Sequence, residues 1–168
     1  MGQRGMGTMM TGFRTFVAAV CAVGLLTAGA LGITATRAAW SPCAADQTLE
    51  PCLRAMDQPG HLATLQMLWL LCLALCVGAL LASVRGRQRT LAVSALVVVL
   101  VMNALTEYLL WLEFAGGHWD VPPGTGYTQA TAFVVAGMLV AVGVLLRDRS
   151  DEVVRGQTVK PGAHATLR

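Results

Sequence analysis

Four polar side chains lie inside stretches of the sequence that are otherwise apolar, and one of them is a carboxylate. Glu107 and Asn103 are one helical turn apart in NALTEYLLWLEF, while Gln66 and Gln129 lie in two other apolar stretches. On a helix, Asn103 and Glu107 would share a face, about 40° apart. Interhelical hydrogen bonds between such side chains hold apolar helices together. The first interpretation is therefore a structural polar cluster formed by these four residues.

Two other roles for Glu107 compete with that interpretation. Carboxyl groups within membranes commonly mark proton or cation sites, so Glu107 is also the centre of an alternative function as an ion- or proton-coupled transport accessory. A second acidic residue deeper in the same apolar stretches, which a complete path would need, is absent from the sequence. The remaining alternative is catalysis or ligand sensing at the outer surface of the membrane.

A second set of residues that could do chemistry lies near predicted loops. Glu113, His118 and Asp120 occur in EFAGGHWDVPPGTGY, and His61 lies at the end of the preceding predicted loop. Carboxylates and imidazoles can serve as acids, bases or metal ligands. HExxH, C-x-x-C and nucleophile-elbow motifs are absent from the sequence, so a lipid- or thiol-directed enzyme is the less favoured hypothesis. We predict no catalytic residue, metal or cofactor.

The cysteines fall into two groups. Cys43 and Cys52 are the only cysteines of their loop, and a bond between them would close a ring of about ten residues, so they predict a structural disulfide. Cys72 and Cys76 are four apart in an apolar stretch, where cysteine commonly acts as a small hydrophobic residue. Trp40, Cys43 and Cys52 together form W-x-x-C-x8-C, which resembles the extracellular signature of claudins; the resemblance covers these three residues alone and implies no function here.

Composition and patterning predict the elements that hold these residues. Of 168 residues, 55% are hydrophobic and only 12% are charged, whereas a soluble domain is about one quarter charged. The apolar residues form four stretches, and about 20 such residues cross a bilayer. These predicted spans are residues 15–36, 62–84, 90–112 and 127–146. The fold class is an all-α integral membrane protein, a bundle of four transmembrane helices. Cleavage of the first span as a signal peptide is the alternative.

The positions of the basic residues predict the orientation of the spans. Of twelve Lys and Arg residues, only Arg37 and Arg54 lie in the two loops that would face outward. Cytoplasmic segments retain basic residues, so both termini are predicted to be cytoplasmic in the plasma membrane. The cytoplasmic segments are then residues 1–14, the basic turn 85–89 and a disordered tail at 147–168. The outer loops are residues 37–61 and 113–126.

Small residues four apart mark the faces through which transmembrane helices approach one another. They predict a tight hairpin of the first two spans, with the fourth packing alongside. These residues are Gly24, Ala28 and Gly32, then Ala74, Gly78 and Ala82, and finally Gly137 and Ala141. Pro123-Gly124 predicts a type II turn and an ordered second loop. Trp40, Trp111, Trp119 and Tyr127 are typical of aromatic residues at a membrane interface.

The sequence indicates a function class only by what it contains and lacks. It has little cytoplasmic mass and no nucleotide-binding motif. We therefore expect a non-enzymatic subunit, sensor or assembly factor of a membrane complex. Its partners would be the lipid bilayer and other membrane proteins or further copies of the chain, and not nucleic acid.

Overall fold

The computed structural model describes residues 3–83, 86–117 and 120–158, and it describes side chains at residue 10 and at residues 12–83, 86–117 and 120–147. Within these ranges the chain is helical and has no strand. Four long helices are joined by a 3₁₀ turn, one short helix and loops. The elements are α1 (Gln3–Trp40), the 3₁₀ turn (Ser41–Cys43), α2 (Glu50–Asp57), α3 (His61–Ala82), α4 (Arg87–Ala115) and α5 (Tyr127–Thr158).

Each of the four long helices is long and apolar enough to cross a membrane. At a rise of 1.5 Å per residue, even the 22 residues of α3 extend about 33 Å, which exceeds a hydrocarbon core of about 30 Å. Three of the four predicted spans fall within these helices, whereas the predicted span 62–84 extends past the end of α3 at Ala82. The structure therefore indicates a membrane protein and is consistent with a helical membrane bundle.

The helices extend beyond the apolar stretches that predict them. The helix α1 already begins at Gln3, and α5 continues to Thr158, where a disordered tail was predicted. Extending an existing helix costs far less than nucleating a new one, and the chain from 144 to 155 contains no glycine or proline that would stop α5. The rest of the predicted tail, residues 159–168, lies outside the described residues.

The closest helix contact involves α1 and α5, which differs from the predicted order of packing. A Cβ atom on Gly29 would lie 2.5 Å from Cγ2 of Val134, and one on Gly32 would lie 3.0 Å from Cβ of Ala130. Gly137 of α5 in turn lies against Leu26 of α1. The first and last helices therefore approach closely through glycine.

The predicted hairpin contact between α1 and α3 is also present. Gly24 faces Leu75, and Gly78 faces Cys21. Ala74, which was assigned to the same contact, is exposed. The small residues of α1 thus serve two neighbours, because Gly24 lies against α3 whereas Gly29 lies against α5. The remaining predicted packing residues differ in exposure: Ala28 and Ala82 are buried, and Ala141 is half-buried.

Candidate functional site

One end of the structure is covered by a small cap, defined as residues 41–57, which include the 3₁₀ turn and α2, together with residues 116–117 and 120–126 of the α4–α5 loop. The predicted Cys43–Cys52 disulfide is present, with the two Cα atoms 4.7 Å apart. Both cysteines are buried together with Trp40 and Val121 in a cluster separate from the main core. The Val121 N–H donates to the Met56 carbonyl oxygen at 3.1 Å, which ties the α4–α5 loop to α2.

The carbonyl oxygen of Thr125 fastens this loop to α1 and α3. The Trp40 indole N–H donates to it at 3.0 Å, and His61 Nε2 lies 3.1 Å from it. Because a carbonyl oxygen only accepts hydrogen bonds, His61 Nε2 must carry the hydrogen. The two rings also pack edge to face at 5.0 Å. Trp40 is therefore buried within the cap, although its position predicted an interfacial aromatic residue.

The loop is held in a defined turn, as its Pro-Gly sequence predicts. Gly124 has φ +94°, and the Thr125 N–H donates to the Pro122 carbonyl oxygen at 3.2 Å across the turn. Gly126 has φ +105°, and a Cβ there would lie 2.5 Å from Cδ1 of Leu65. Glycine is needed at this position both for its backbone conformation and for the close approach of α3.

Beneath this turn is a cleft of about 280 Å³ between α4 and the start of α5. Its polar lining comes from Glu113, Thr106, Thr125 and Thr128, and its apolar lining includes Leu110. The Thr106 and Thr128 hydroxyl groups lie 3.3 Å apart, within hydrogen-bonding distance. A single carboxylate among hydroxyl groups suits a ligand that is cationic or rich in hydrogen-bond donors.

Deeper in the same helix pair, Asn103 and Gln129 are bonded side chain to side chain. The Gln129 amide donates to Oδ1 of Asn103, and the two residues are only 4% and 8% exposed, respectively. Two members of the predicted polar cluster therefore meet between α4 and α5. Together with Thr106 and Thr128, they form two layers of polar contact between helices.

The other two members of that cluster lie elsewhere. Glu107 and Gln66 are both exposed on the outside of the helices. Among the described residues, Gln129 and not Glu107 bonds Asn103. The reason is the rotation of α4: its buried row runs through Val99, Asn103 and Thr106, so Glu107 is turned away from α5. The expected hydrogen bonding of Glu107 within the bundle is therefore not what the structure shows.

The predicted outer-loop set is divided by the fold. Glu113 lines the cleft, His61 is held in the cap, and Asp120 is exposed. His118 lies outside the described residues. The three described members thus have different surroundings, and the contacts of His61 are structural.

Cys72 and Cys76 have a third cysteine nearby, which the sequence pattern did not predict. Cys21 of α1 lies in the same buried core cluster, and all three are free thiols. The sequence feature that indicates this proximity is the position of Cys21 on α1, close to Gly24 on the face that meets α3. Among the described residues, no three His, Cys, Asp or Glu side chains are arranged to hold a metal ion.

One acidic group of the cap has a shifted pKa. The Thr48 N–H donates to Oδ1 of Asp46 at 2.8 Å, and the Thr48 hydroxyl donates to the same atom at 2.7 Å. These two hydrogen bonds, the backbone bond first, favour the ionised form and lower the pKa of Asp46 below its ordinary value.

The geometry therefore provides a small, mostly apolar cleft that contains Glu113 and threonine hydroxyl groups, and an exposed carboxylate, Glu107, on α4. The described residues include no nucleophile paired with a base in either place. Comparison with protein-family models, with curated proteins and with solved structures found no match to this chain.

Proposed function

We propose that this chain is a multi-pass plasma-membrane protein that acts by binding other proteins within the membrane, as a non-enzymatic subunit or assembly factor. The observation that carries the proposal is the position of Glu107 on an exposed apolar face of α4. The distribution of basic residues supports an orientation with both termini in the cytoplasm. The cap would then face outward, where a disulfide persists.

The exposed face of α4 has the spacing of a helix-pairing surface. Its residues alternate four and three apart, which is the heptad repeat of two packed helices. All of them are exposed: Val93, Val97, Leu100, Ala104, Glu107 and Trp111. The α4 helix is also the least enclosed of the four, with 22% of its apolar window buried. This helix is therefore the one with the most surface left to pack against a partner.

A carboxylate on such a face needs a polar partner. At the centre of a span, an acidic residue costs about 2.5–3.5 kcal/mol on insertion scales, and the cost falls toward the interface. Glu107 lies two turns from the α4 end, Ala115, so part of this cost applies. A hydrogen bond or a basic group from another chain would offset it. A single polar residue in a heptad seam also fixes the register of the two helices.

Aromatic side chains beside Glu107 strengthen this interpretation. The rings of Tyr108 and Trp111 stack at 6.3 Å and 20° on the surface of α4. Both residues are more than half exposed. Tyrosine and tryptophan supply much of the binding energy in protein interfaces. The proposed contact surface is thus the heptad row together with this stacked pair.

The transport alternative would need Glu107 to reach a polar path. The described side chains lining the cap cleft include Glu113 but not Glu107. A transport site needs a carboxylate that lines a cavity, and Glu113 meets this requirement whereas Glu107 does not. Helix pairing through Glu107 is therefore the better supported function.

The test is quantitative recovery of partners in mild detergent. The tagged full-length chain would be compared with Glu107→Leu and Glu107→Gln, and with Gln66→Leu as a matched control, because Gln66 is also polar and exposed in a span. We expect Glu107→Leu to reduce recovery of co-purifying membrane proteins or of a second tagged copy about tenfold, from a loss of about 1–2 kcal/mol. Glu107→Gln should retain most binding.

The exposed position of Glu107 makes a second measurement decisive. Because Glu107 is exposed and Asn103 is bonded by Gln129 instead, Glu107→Leu should leave the free energy of unfolding unchanged within about 0.5 kcal/mol. Recovery of the same partners by wild type and Glu107→Leu would contradict the proposal. A loss of folding in Glu107→Leu would instead support the structural interpretation.

The cleft favours a second candidate function, the sensing of a small outer ligand. Its charge is that of Glu113, and its walls combine threonine hydroxyl groups with the apolar side chains of Leu109, Leu110 and Pro122. A cationic ligand such as a small ammonium compound should therefore raise the melting temperature of wild type but not of Glu113→Gln. Equal shifts in the two proteins, or none in either, would contradict this candidate.

A further inference from the structure

A second surface feature lies at the end opposite the cap. There α1 extends past the end of α3, and the step between them forms an open groove of about 740 Å³. Its walls are apolar, formed by Phe13 and Val17 of α1 and by Leu81 and Ala82 of α3. Among the described side chains of this lining, Arg14 is the only charged one.

We propose that this groove binds one anionic phospholipid, with its phosphate on Arg14 and an acyl chain along the apolar walls. The inference rests on the membrane placement proposed above but is independent of the α4 surface. A guanidinium group pairs with phosphate through two parallel hydrogen bonds and is always charged. Arg87 and Arg89 at the start of α4 add positive charge at the same end of the helices, and basic residues at a membrane surface attract anionic lipids.

The size of the groove favours a lipid over a protein helix. A helix with its side chains is about 10 Å across and rises 5.4 Å per turn, so it fills roughly 400 Å³ per turn. The groove would hold fewer than two such turns. An unbranched acyl chain, in contrast, fits a narrow apolar channel between two helices and needs no hydrogen bonds.

The walls also point toward lipid. Phe13 is 68% exposed and Leu81 is 76% exposed, on opposite sides of the groove. Gly78 is also part of the lining and presents no side chain of its own. An acyl chain here would contact both walls, while Arg14 would remain at the level of the headgroups.

Native mass spectrometry of the full-length chain in mild detergent tests this assignment. The protein would be titrated with phosphatidylglycerol and with phosphatidylcholine of the same acyl chains. We expect the first phosphatidylglycerol to bind about tenfold more tightly, because phosphatidylcholine has the same phosphate but adds a trimethylammonium cation, which Arg14 and the neighbouring Arg87 and Arg89 repel. Arg14→Gln should reduce this preference to less than about threefold, whereas Arg14→Lys should retain part of it.

Arg37→Gln is the matched control, because Arg37 is an exposed arginine near the other end of α1. It should keep the wild-type preference. Equal binding of the two lipids to wild type, or an unchanged preference in Arg14→Gln, would overturn the proposal. Displacement of phosphatidylglycerol by millimolar inorganic phosphate would also overturn it, since it would show a headgroup-only anion site. Filling of the groove by a second copy of the chain would exclude the lipid as occupant.

These outcomes are separate from those of the partner test. Glu107→Leu should bind phosphatidylglycerol as wild type does, because Glu107 is not in the groove lining. A lack of lipid selectivity would therefore not contradict the α4 proposal. Likewise, a lack of partner binding through Glu107 would not contradict the lipid proposal.

Discussion

The Asn103–Gln129 pair gives a prediction whose size follows from its burial. Both side chains are almost fully buried between α4 and α5. Gln129→Met would leave the Asn103 amide without its hydrogen-bond partner. Asn103→Leu would leave the Gln129 amide without its partner in the same way. An unpaired buried amide costs about 1–3 kcal/mol in soluble proteins, whereas interhelical pairs in membranes average about 0.6 and reach about 1.7 kcal/mol. We expect each single change to lower the free energy of unfolding by about 1–2 kcal/mol.

The double variant separates this pair from a simple packing effect. Replacing both partners by apolar groups of similar shape leaves no unpaired amide. Asn103→Leu combined with Gln129→Met should therefore be less destabilised than the sum of the single changes, by about 1 kcal/mol. The assay is unfolding by SDS in lipid–detergent micelles, followed by circular dichroism. Gln66→Met is the control, because that side chain is exposed and should change stability by less than about 0.5 kcal/mol.

Additivity would refute the reasoning. If the double variant equals the sum of the two single changes within about 0.3–0.5 kcal/mol, the side chains are not coupled. An equal loss in Gln66→Met would show that any polar side chain at this depth contributes in the same way. Either result would remove the α4–α5 hydrogen bond from the account of the fold.

Three further predictions concern packing, the cap and pH. The Gly29→Ala variant should be about 1–3 kcal/mol less stable than the Gly12→Ala variant. Both changes gain the same helix propensity, but only Gly29→Ala places a Cβ 2.5 Å from Val134. Equal stability of the two variants in SDS titrations would contradict the close α1–α5 contact. Replacing Cys43 and Cys52 together by serine should cost about 2–3 kcal/mol, measured as a lower melting temperature under non-reducing conditions, and no change would argue against a ring-closing bond. The lowered pKa of Asp46 means that its hydrogen bonds to Thr48 stabilise the cap above the ordinary carboxyl pKa and stop doing so as pH falls through the lowered value. Thr48→Val removes the hydroxyl bond and keeps the backbone bond, so it should raise the Asp46 pKa only part of the way to its ordinary value in a carboxyl-carbon NMR titration; an unchanged pKa would contradict the contribution of the hydroxyl group.

The four long apolar helices and the disulfide could be predicted because each depends on a strong physical constraint. Crossing a hydrocarbon core requires about 20 apolar residues, and the sequence has four such stretches. Cys43 and Cys52 had no other cysteine in their loop, so only one pairing was available within it. The turn at Gly124 followed from the conformational demands of proline and glycine.

The orientation of Glu107 could not be predicted from its neighbours alone. Asn103 and Glu107 differ by only about 40° around the helix, and rotation of α4 decides which of them meets α5. A usable signal was present in the small residues Ala92 and Ala95, which continue the row of Asn103 and Thr106 and are buried with them. Small side chains mark the contact face, so this row indicates that Asn103, and not Glu107, lies on the buried face of α4.

The packing order and the cap were also beyond the sequence pattern. Small residues on α1 show where another helix can approach, but they do not specify which helix. Gly29 and Gly32 meet α5, while Gly24 meets α3. Likewise, the hydrogen bonds from Trp40 and His61 to Thr125 join three segments that are distant in the sequence, so no local pattern predicts them.

The most direct test of the central claim is photo-crosslinking in the native membrane. A photo-reactive amino acid would replace Ala104, which lies one turn from Glu107 on the exposed heptad row, and in a control chain it would replace Met67, which is 70% exposed on α3. The account predicts a covalent adduct with another polypeptide chain from position 104, little from position 67, and a marked loss of the adduct in Glu107→Leu. Adducts with lipid alone from both positions would contradict it.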